Sequence, residues 1–305
     1  MKRIYFLLGA GLFLLAVARC KKEEPPPPPD QNWTYNPTPY QLTIPPFFPI
    51  LDIPADNPMT VEGVKLGRML YYDPVLHPDS AKACASCHVQ QISFTSTGTV
   101  LPHLNLGWNT AFLWNGKVQG TLEDIMLFEV KDFFKTDLDR LSRHPEYPRL
   151  FYEAFGEKVI TNEFAAKALA QFQRTMISGN SKYDKVIGNA NVFLTDAELN
   201  GYDIFFTEKG DCFHCHGGIL FTDNQFHNNA LDANPSAGLS EITNLPADVG
   251  KYKSPTLRNI ELTAPYMHDG RFQTLEEVVD FYSEGLHSSP TVDPLMKSLH
   301  FGGKH

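Results

Sequence analysis

Two five-residue phrases constrain this chain more than anything else in its sequence: Cys84-Ala85-Ser86-Cys87-His88 and Cys212-Phe213-His214-Cys215-His216. Two thiols at this spacing reach the two vinyl groups of one heme as thioethers, and the histidine that follows meets the iron from the same side. A zinc site or a redox dithiol would use the cysteine pairs, but neither requires a histidine in the same register twice. The chain has 5 cysteines. The motifs take all but Cys20, which leaves nothing for a separate disulfide. The sequence therefore predicts two covalently bound c-type hemes, one on Cys84, Cys87 and His88 and one on Cys212, Cys215 and His216.

The N-terminus reads as a targeting segment. Lys2 and Arg3 precede an apolar run from Ile4 to Ala18 that is short for a membrane span. It ends in Leu15-Ala16-Val17-Ala18-Arg19-Cys20, which resembles a lipoprotein signal, although Arg19 stands where a small residue is usual. The expectation is a signal peptide over 1–19 and an exported periplasmic or outer-membrane lipoprotein, held to the membrane by a lipid on Cys20. An ordinary secretion signal or an uncleaved anchor is the alternative. Residues 20–59, with Pro25 to Pro29, are expected to form an extended tether, and the fold to begin near Thr60. The net charge of −9 argues against nucleic acid as a partner.

The remainder carries a weak internal duplication. Val64 to Tyr72 before the first motif and Ala197 to Phe206 before the second have apolar residues at helical spacing and end in an aromatic pair. After the motifs come Ile92-Ser93-Phe94-Thr95 and Ile219-Leu220-Phe221-Thr222. Glu163 to Ser178 is helix-patterned, and Thr195 with Glu198 reads as a helix start. The expected fold is mainly α: two cytochrome c-like heme domains with the hemes near a shared interface. The N-terminal heme domain spans 60–190 and the C-terminal heme domain 191–305, with the boundary between Gly188 and Thr195.

The phrase from Ser254 to Gly270, SPTLRNIELTAPYMHDG, resembles the signature of bacterial di-heme cytochrome c peroxidases and their MauG-type relatives. Trp114-Asn115-Gly116, Phe172-Gln173-Arg174-Thr175 and Ser181-Lys182-Tyr183-Asp184 agree with it, so that the likeness runs from about residue 60 to 300. The resemblance implies that the heme on His88 reacts with hydrogen peroxide and that the heme on His216 takes electrons from a small cytochrome c or cupredoxin. It makes Trp114 the aromatic between the hemes, whereas Trp108 reads as a core aromatic. It makes Tyr282 the second iron ligand of the His216 heme, with Met267 as runner-up among His227, His268, His287 and Met296. A phenolate there would lower that heme's potential relative to methionine. It also makes Thr263 and Pro265 carbonyl donors to an inter-heme calcium. Dimerisation is common in the family, though no segment here establishes a homodimer.

The sequence departs from the family pattern in four places. His88 to Trp114 is short and lacks the loop that carries a blocking histidine. His103 falls in the packed segment before Trp114, so the first heme is expected to be open. Counting from Trp114 puts Asp124 at the distal glutamine position and Phe134 at the catalytic glutamate. Glu129 or Asp132 would then have to serve as acid/base, or be plain solvated charges. Thr99 stands where the calcium-site asparagine belongs, and the sequence stops before an expected closing helix. Two other readings stay open: a MauG-type oxidase of a partner protein, favoured by Tyr282, and a non-catalytic electron carrier or redox sensor, favoured by Phe134.

Overall fold

The computed structural model describes residues 32–301; the expected signal peptide, Cys20 and the 25–29 proline run lie outside them. Thr60 starts the first helix, Val61–Tyr72, its hydroxyl accepting from the Gly63 amide at 3.0 Å and so satisfying a donor that a helix start leaves free. Leu66, Leu70 and Tyr71 form its buried stripe, which packs against the helix Asn162–Arg174. The approach is close because Gly67 has no side chain: a Cβ there would lie 1.9 Å from the Ala168 carbonyl oxygen. Leu122–Phe128 packs on the same partner, and these helices share one core around Leu66, Leu70, Met126, Val130 and Leu169.

The helix expected over 163–178 stops at Arg174. Beyond it the Ser178 amide donates to the Asn105 side chain at 2.9 Å, and the Asn105 amide group returns a bond to the Ser178 carbonyl at 3.1 Å. This side-chain bridge takes the place of another helical turn. The tether expected over 20–59 is also corrected in its second part, which packs on the helices. Phe48, Leu51 and Met59 are buried, and Asn57 is 1% exposed. Proline supplies no amide donor, so main-chain bonds such as that from the Tyr40 amide to the Met59 carbonyl, at 3.0 Å, are few and side chains add to them. Trp108 is a half-buried clamp on it, not a core residue: its indole donates to the Pro49 carbonyl at 3.0 Å.

The second repeat starts as read, with a reciprocal cap between Thr195 and Glu198 at the head of the helix Asp196–Phe205. Among the described residues, strand is confined to two antiparallel ribbons, Ala111–Phe112 with Val118–Gln119 and Phe226–His227 with Tyr252–Lys253. The mainly α architecture therefore holds. From Trp33 on the chain forms one compact unit, tied across its two repeats by buried polar bonds. The Lys253 amide donates to the Trp114 carbonyl at 2.8 Å. Arg258 grips both carboxylate oxygens of Asp184, at 3.0 and 2.8 Å.

Candidate functional site

The two attachment turns are built alike. The amides of His88 and His216 each return to the carbonyl of the first motif cysteine at 3.0 Å. His88 Nδ1 donates to the Phe94 carbonyl at 2.9 Å, and His216 Nδ1 to the Phe221 carbonyl at 3.2 Å. Phe94 and Phe221 both hold left-handed backbone, φ 57° and 52°, which turns those carbonyls back toward the histidines. With Nδ1–H committed, Nε2 keeps its lone pair, the tautomer a metal ligand needs. Burial lowers the His88 pKa to about 4 and brings His216 below its usual value, so both rings stay neutral. No disulfide joins the four motif cysteines, and burial pushes the Cys84 thiol up to about 12 and that of Cys212 to about 11.

A cavity of about 460 Å³ opens on Cys84, Cys87 and His88 and reaches Trp114, Glu129 and Phe134. That volume lies within the range of cofactor sites. Trp114 is fixed in the wall by its indole N–H, which donates to the Thr99 carbonyl at 2.7 Å. The Leu122–Phe128 helix runs on into a wider turn over Glu129–Phe133, where the Phe134 amide reaches the Glu129 carbonyl at 2.8 Å, five residues back. Such π turns rotate the side chains that follow and often occur at functional sites. Here Glu129 lines the cavity, and burial raises its pKa to about 7.

The other acidic candidates are elsewhere. Asp124, expected at the distal position, is exposed and accepts from the Thr121 amide at 2.7 Å and its hydroxyl at 2.8 Å, as a helix cap. Asp132 is exposed on the outside of the π turn. Phe134, at the counted glutamate position, is a buried wall of the cavity. His103 stacks on His88 with ring centroids 3.3 Å apart. Rings in that contact could not hold an iron between them, so His103 would not be the second ligand of an iron held by His88.

At the second motif the structure brings Tyr282 and Met267 together. The Asn229 side-chain amide donates to the Tyr282 hydroxyl at 3.2 Å and to Met267 Sδ at 3.4 Å. Burial raises the Tyr282 pKa, with the Cys215 and Cys212 thiols adding to the shift, which puts the phenol beside the attachment turn. The three histidine candidates are committed or outside. His227 is held between Asp223 at 2.8 Å and Asp293 at 2.7 Å, His268 stacks on Tyr252, and His287 is exposed.

Sequence reading missed Lys253, although it directly precedes the Ser254-Pro255 phrase. It is 4% exposed and lines the first cavity. Its ammonium makes one long bond, 3.4 Å to the Ser254 carbonyl, and no ion pair among the described residues. Burial lowers its pKa to about 8. A buried cation facing a cavity without a carboxylate partner calls for an anion, and heme brings carboxylates. Cysteines, neutral histidines and this orphaned ammonium together fit c-type heme at the first site. Cys212, Cys215 and neutral His216 with Tyr282 fit it at the second. Near the expected calcium position, the Thr99 carbonyl accepts from the Trp114 indole at 2.7 Å. Calcium prefers carboxylate-rich oxygen sets, and it enters no step below.

The family profile described as "Di-haem cytochrome c peroxidase" matches residues 61–191. The methylamine utilization protein MauG of Methylorubrum extorquens is 34% identical over 266 residues, covering 80% of this chain and 75% of that protein. Cytochrome c551 peroxidase of Nitrosomonas europaea is 32% identical over 256 residues, covering 76% of each. Among solved structures, a MauG-like protein associated with microbial copper homeostasis superposes with TM-score 0.76 at 32% identity, over 85% of this chain and 89% of that one. The diheme peroxidase BthA of Burkholderia thailandensis, at 19% identity and TM-score 0.64 over 77% of each chain, shares the fold.

Proposed function

This chain belongs to the di-heme cytochrome c peroxidase family, and from that premise we propose that it reduces hydrogen peroxide to water in the Glu129 cavity with electrons from a small cytochrome c or cupredoxin. The observation that carries the reading is Glu129: a carboxyl with its pKa raised to about 7, facing the cavity that opens on His88. Heme, when bound, supplies the iron that takes up peroxide and the redox centre that receives electrons. Cys84 and Cys87 would attach the first heme covalently and Cys212 and Cys215 the second, with His88 and His216 as the near ligands. Glu129 takes the proton from peroxide and returns it to the departing oxygen, which leaves as water. Electrons enter at the His216 site and pass by way of Trp114, which the Thr99 carbonyl and the Lys253 amide hold between the two repeats. The division is into an N-terminal peroxide-reacting part over 60–190 and a C-terminal electron-transfer part from 191.

The test is stopped-flow absorption of the ferric, heme-loaded protein against one equivalent of hydrogen peroxide. A rapid change without prior reduction is expected, since His103 does not block the first iron. No change, even after half-reduction, would leave an electron-transfer protein on a peroxidase scaffold. Tyr282 near the second motif favours a MauG-type oxidase as the second reading, and comparing reduced cytochrome with candidate protein substrates separates the two.

Tyr282 is the proposed second ligand of the His216 iron. Its neutral phenol is favoured by burial, so only a cation such as ferric iron would draw out the phenolate. Tyr282→Met should raise that heme's reduction potential, read by spectroelectrochemistry. An unchanged potential and spectrum would remove Tyr282 and leave Met267. Export with a lipid on Cys20 is the proposed location, and Cys20→Ser should move the protein from the membrane to the soluble fraction. Membrane retention of that variant would count against the lipid.

A further inference from the structure

Two hydroxyls stand where the packing asks for none. The segment before each attachment turn ends in an aromatic pair, Tyr71-Tyr72 in the first repeat and Phe205-Phe206 in the second. Each pair packs edge to face, with centroids 5.2 and 4.9 Å apart. Each also reaches the phenylalanine whose carbonyl holds the axial histidine: Tyr71 lies 6.4 Å from Phe94, and Phe205 lies 5.9 Å from Phe221. Phenylalanine therefore suffices for this packing, and the second repeat acts as an internal control.

In the first repeat both residues are phenols, and they line up. The His103 ring stacks on His88 at 3.3 Å, and its Nδ1 accepts from the buried Tyr71 hydroxyl at 3.2 Å. The Tyr72 ring lies 5.2 Å from that of Tyr71 and is 40% exposed, its own hydroxyl donating to Gln90 at 3.1 Å. An unbroken run of ring contacts thus leads from the His88 pocket to the surface. It ends on a second cavity of about 610 Å³, lined by Tyr72, Arg68, Gln90, Thr175 and Asn259. The Arg68 guanidinium lies over the Tyr72 ring at 5.5 Å and has no carboxylate partner among the described residues.

We propose that this second cavity binds a small phenolic reductant with an anionic substituent, and that Tyr72 carries its electrons to the His88 pocket. The proposal rests on the peroxidase reading and adds a small-molecule donor site to the docking of a redox protein. Each peroxide takes up two electrons and two protons to give two waters. For each electron, Tyr72 gives one up through Tyr71 and His103, its phenolic O–H bond breaks, and the proton leaves to solvent at the exposed hydroxyl. The phenoxyl then takes one electron and one proton from the bound phenol. Tyr72 is restored and a phenol-derived radical departs, two per peroxide. A cavity of this size admits an aromatic ring with its substituents, and Arg68 supplies the charge that selects an anion.

The experiment oxidises the heme-loaded protein with one equivalent of hydrogen peroxide, then adds either syringate or reduced cytochrome c. Tyr72→Phe, a surface substitution, should react with peroxide and with cytochrome c as the parent does, but lose re-reduction by syringate. With no donor present, a nitroso spin trap should mark Tyr72 in the parent by mass spectrometry and mark nothing there in the variant. Arg68→Gln should raise the KM for syringate with kcat retained. Unchanged syringate rates in Tyr72→Phe, or no adduct at Tyr72 in the parent, would overturn the proposal. If the parent heme spectrum does not respond to peroxide at all, the peroxidase reading falls and takes this one with it; the optical trace distinguishes the two cases.

Discussion

Glu129→Gln should slow the reaction of the ferric protein with hydrogen peroxide by about 10²–10⁴-fold and leave the absorption spectra of both hemes in place. Glutamine keeps the volume and polarity of the side chain and removes only its ability to accept and return a proton. The pH profile is the sharper readout. Burial raises the Glu129 pKa to about 7, so below that pH the carboxyl is already protonated and cannot take a proton from peroxide. The parent rate should fall as pH drops through about 7, and the variant should be flat across that window. Loss of folding can be told apart from loss of chemistry. A carboxyl whose pKa is raised by burial is destabilised by ionising, so the native state weakens as pH rises through the raised value. The glutamine variant should therefore be no less stable than the parent above pH 7. Asp124→Asn, at an exposed helix cap, should leave the peroxide rate within a few-fold of the parent. A variant at position 129 that keeps both rate and inflection would place the proton carrier elsewhere.

Much of the site was legible because its chemistry is local. The two attachment motifs name their candidate ligands outright. The duplicated phrase after each motif has a structural reason: Phe94 and Phe221 offer the carbonyls that orient the histidines. Thr195 and Glu198 cap a helix through contacts three residues apart, and such contacts can be read from spacing. The candidate acid/base was narrowed only to Glu129 or Asp132, because spacing could not choose between them. Counting forward from Trp114 assumes an unbroken helical repeat, but the π turn over Glu129–Phe133 takes in one more residue per turn. That turn carries Glu129 to the cavity and leaves Phe134 as an apolar wall. The proline-rich stretch misled for a different reason. Its composition speaks for extended backbone and is silent on where Phe48 and Leu51 find a surface. His103 and Tyr71 meet across 32 residues of sequence, a distance at which no periodicity carries information.

The largest effect on stability is expected at Glu123 and Arg174, where Glu123→Gln should cost about 3–5 kcal/mol. Arg174 was visible as part of a family phrase, but its partner lies on another helix. Its guanidinium gives both terminal nitrogens to the two Glu123 oxygens at 2.6 Å each, and Asn57 adds a third bond to that carboxylate at 2.6 Å. The side chains are 2% and 15% exposed. Burial alone would raise the Glu123 pKa, yet the hydrogen bonds and charge of Arg174, with Asn57, outweigh it and the value is lowered. The pair's contribution is therefore present above the usual carboxylate range and lost as pH falls through the lowered native value. Glutamine leaves the arginine cation buried without a counter-charge and weakens the bond that docks Asn57 and the proline-rich stretch. Replacing both residues by methionine should recover most of the loss, because an apolar pair of similar volume avoids stranding a charge. Denaturation of the heme-loaded protein, followed by far-ultraviolet circular dichroism, reads these differences as midpoint shifts at constant slope. A single-variant cost below about 1 kcal/mol would mean that the pair behaves like an exposed surface bridge. In that case the helices Leu122–Phe128 and Asn162–Arg174 are held to each other mainly by apolar contact.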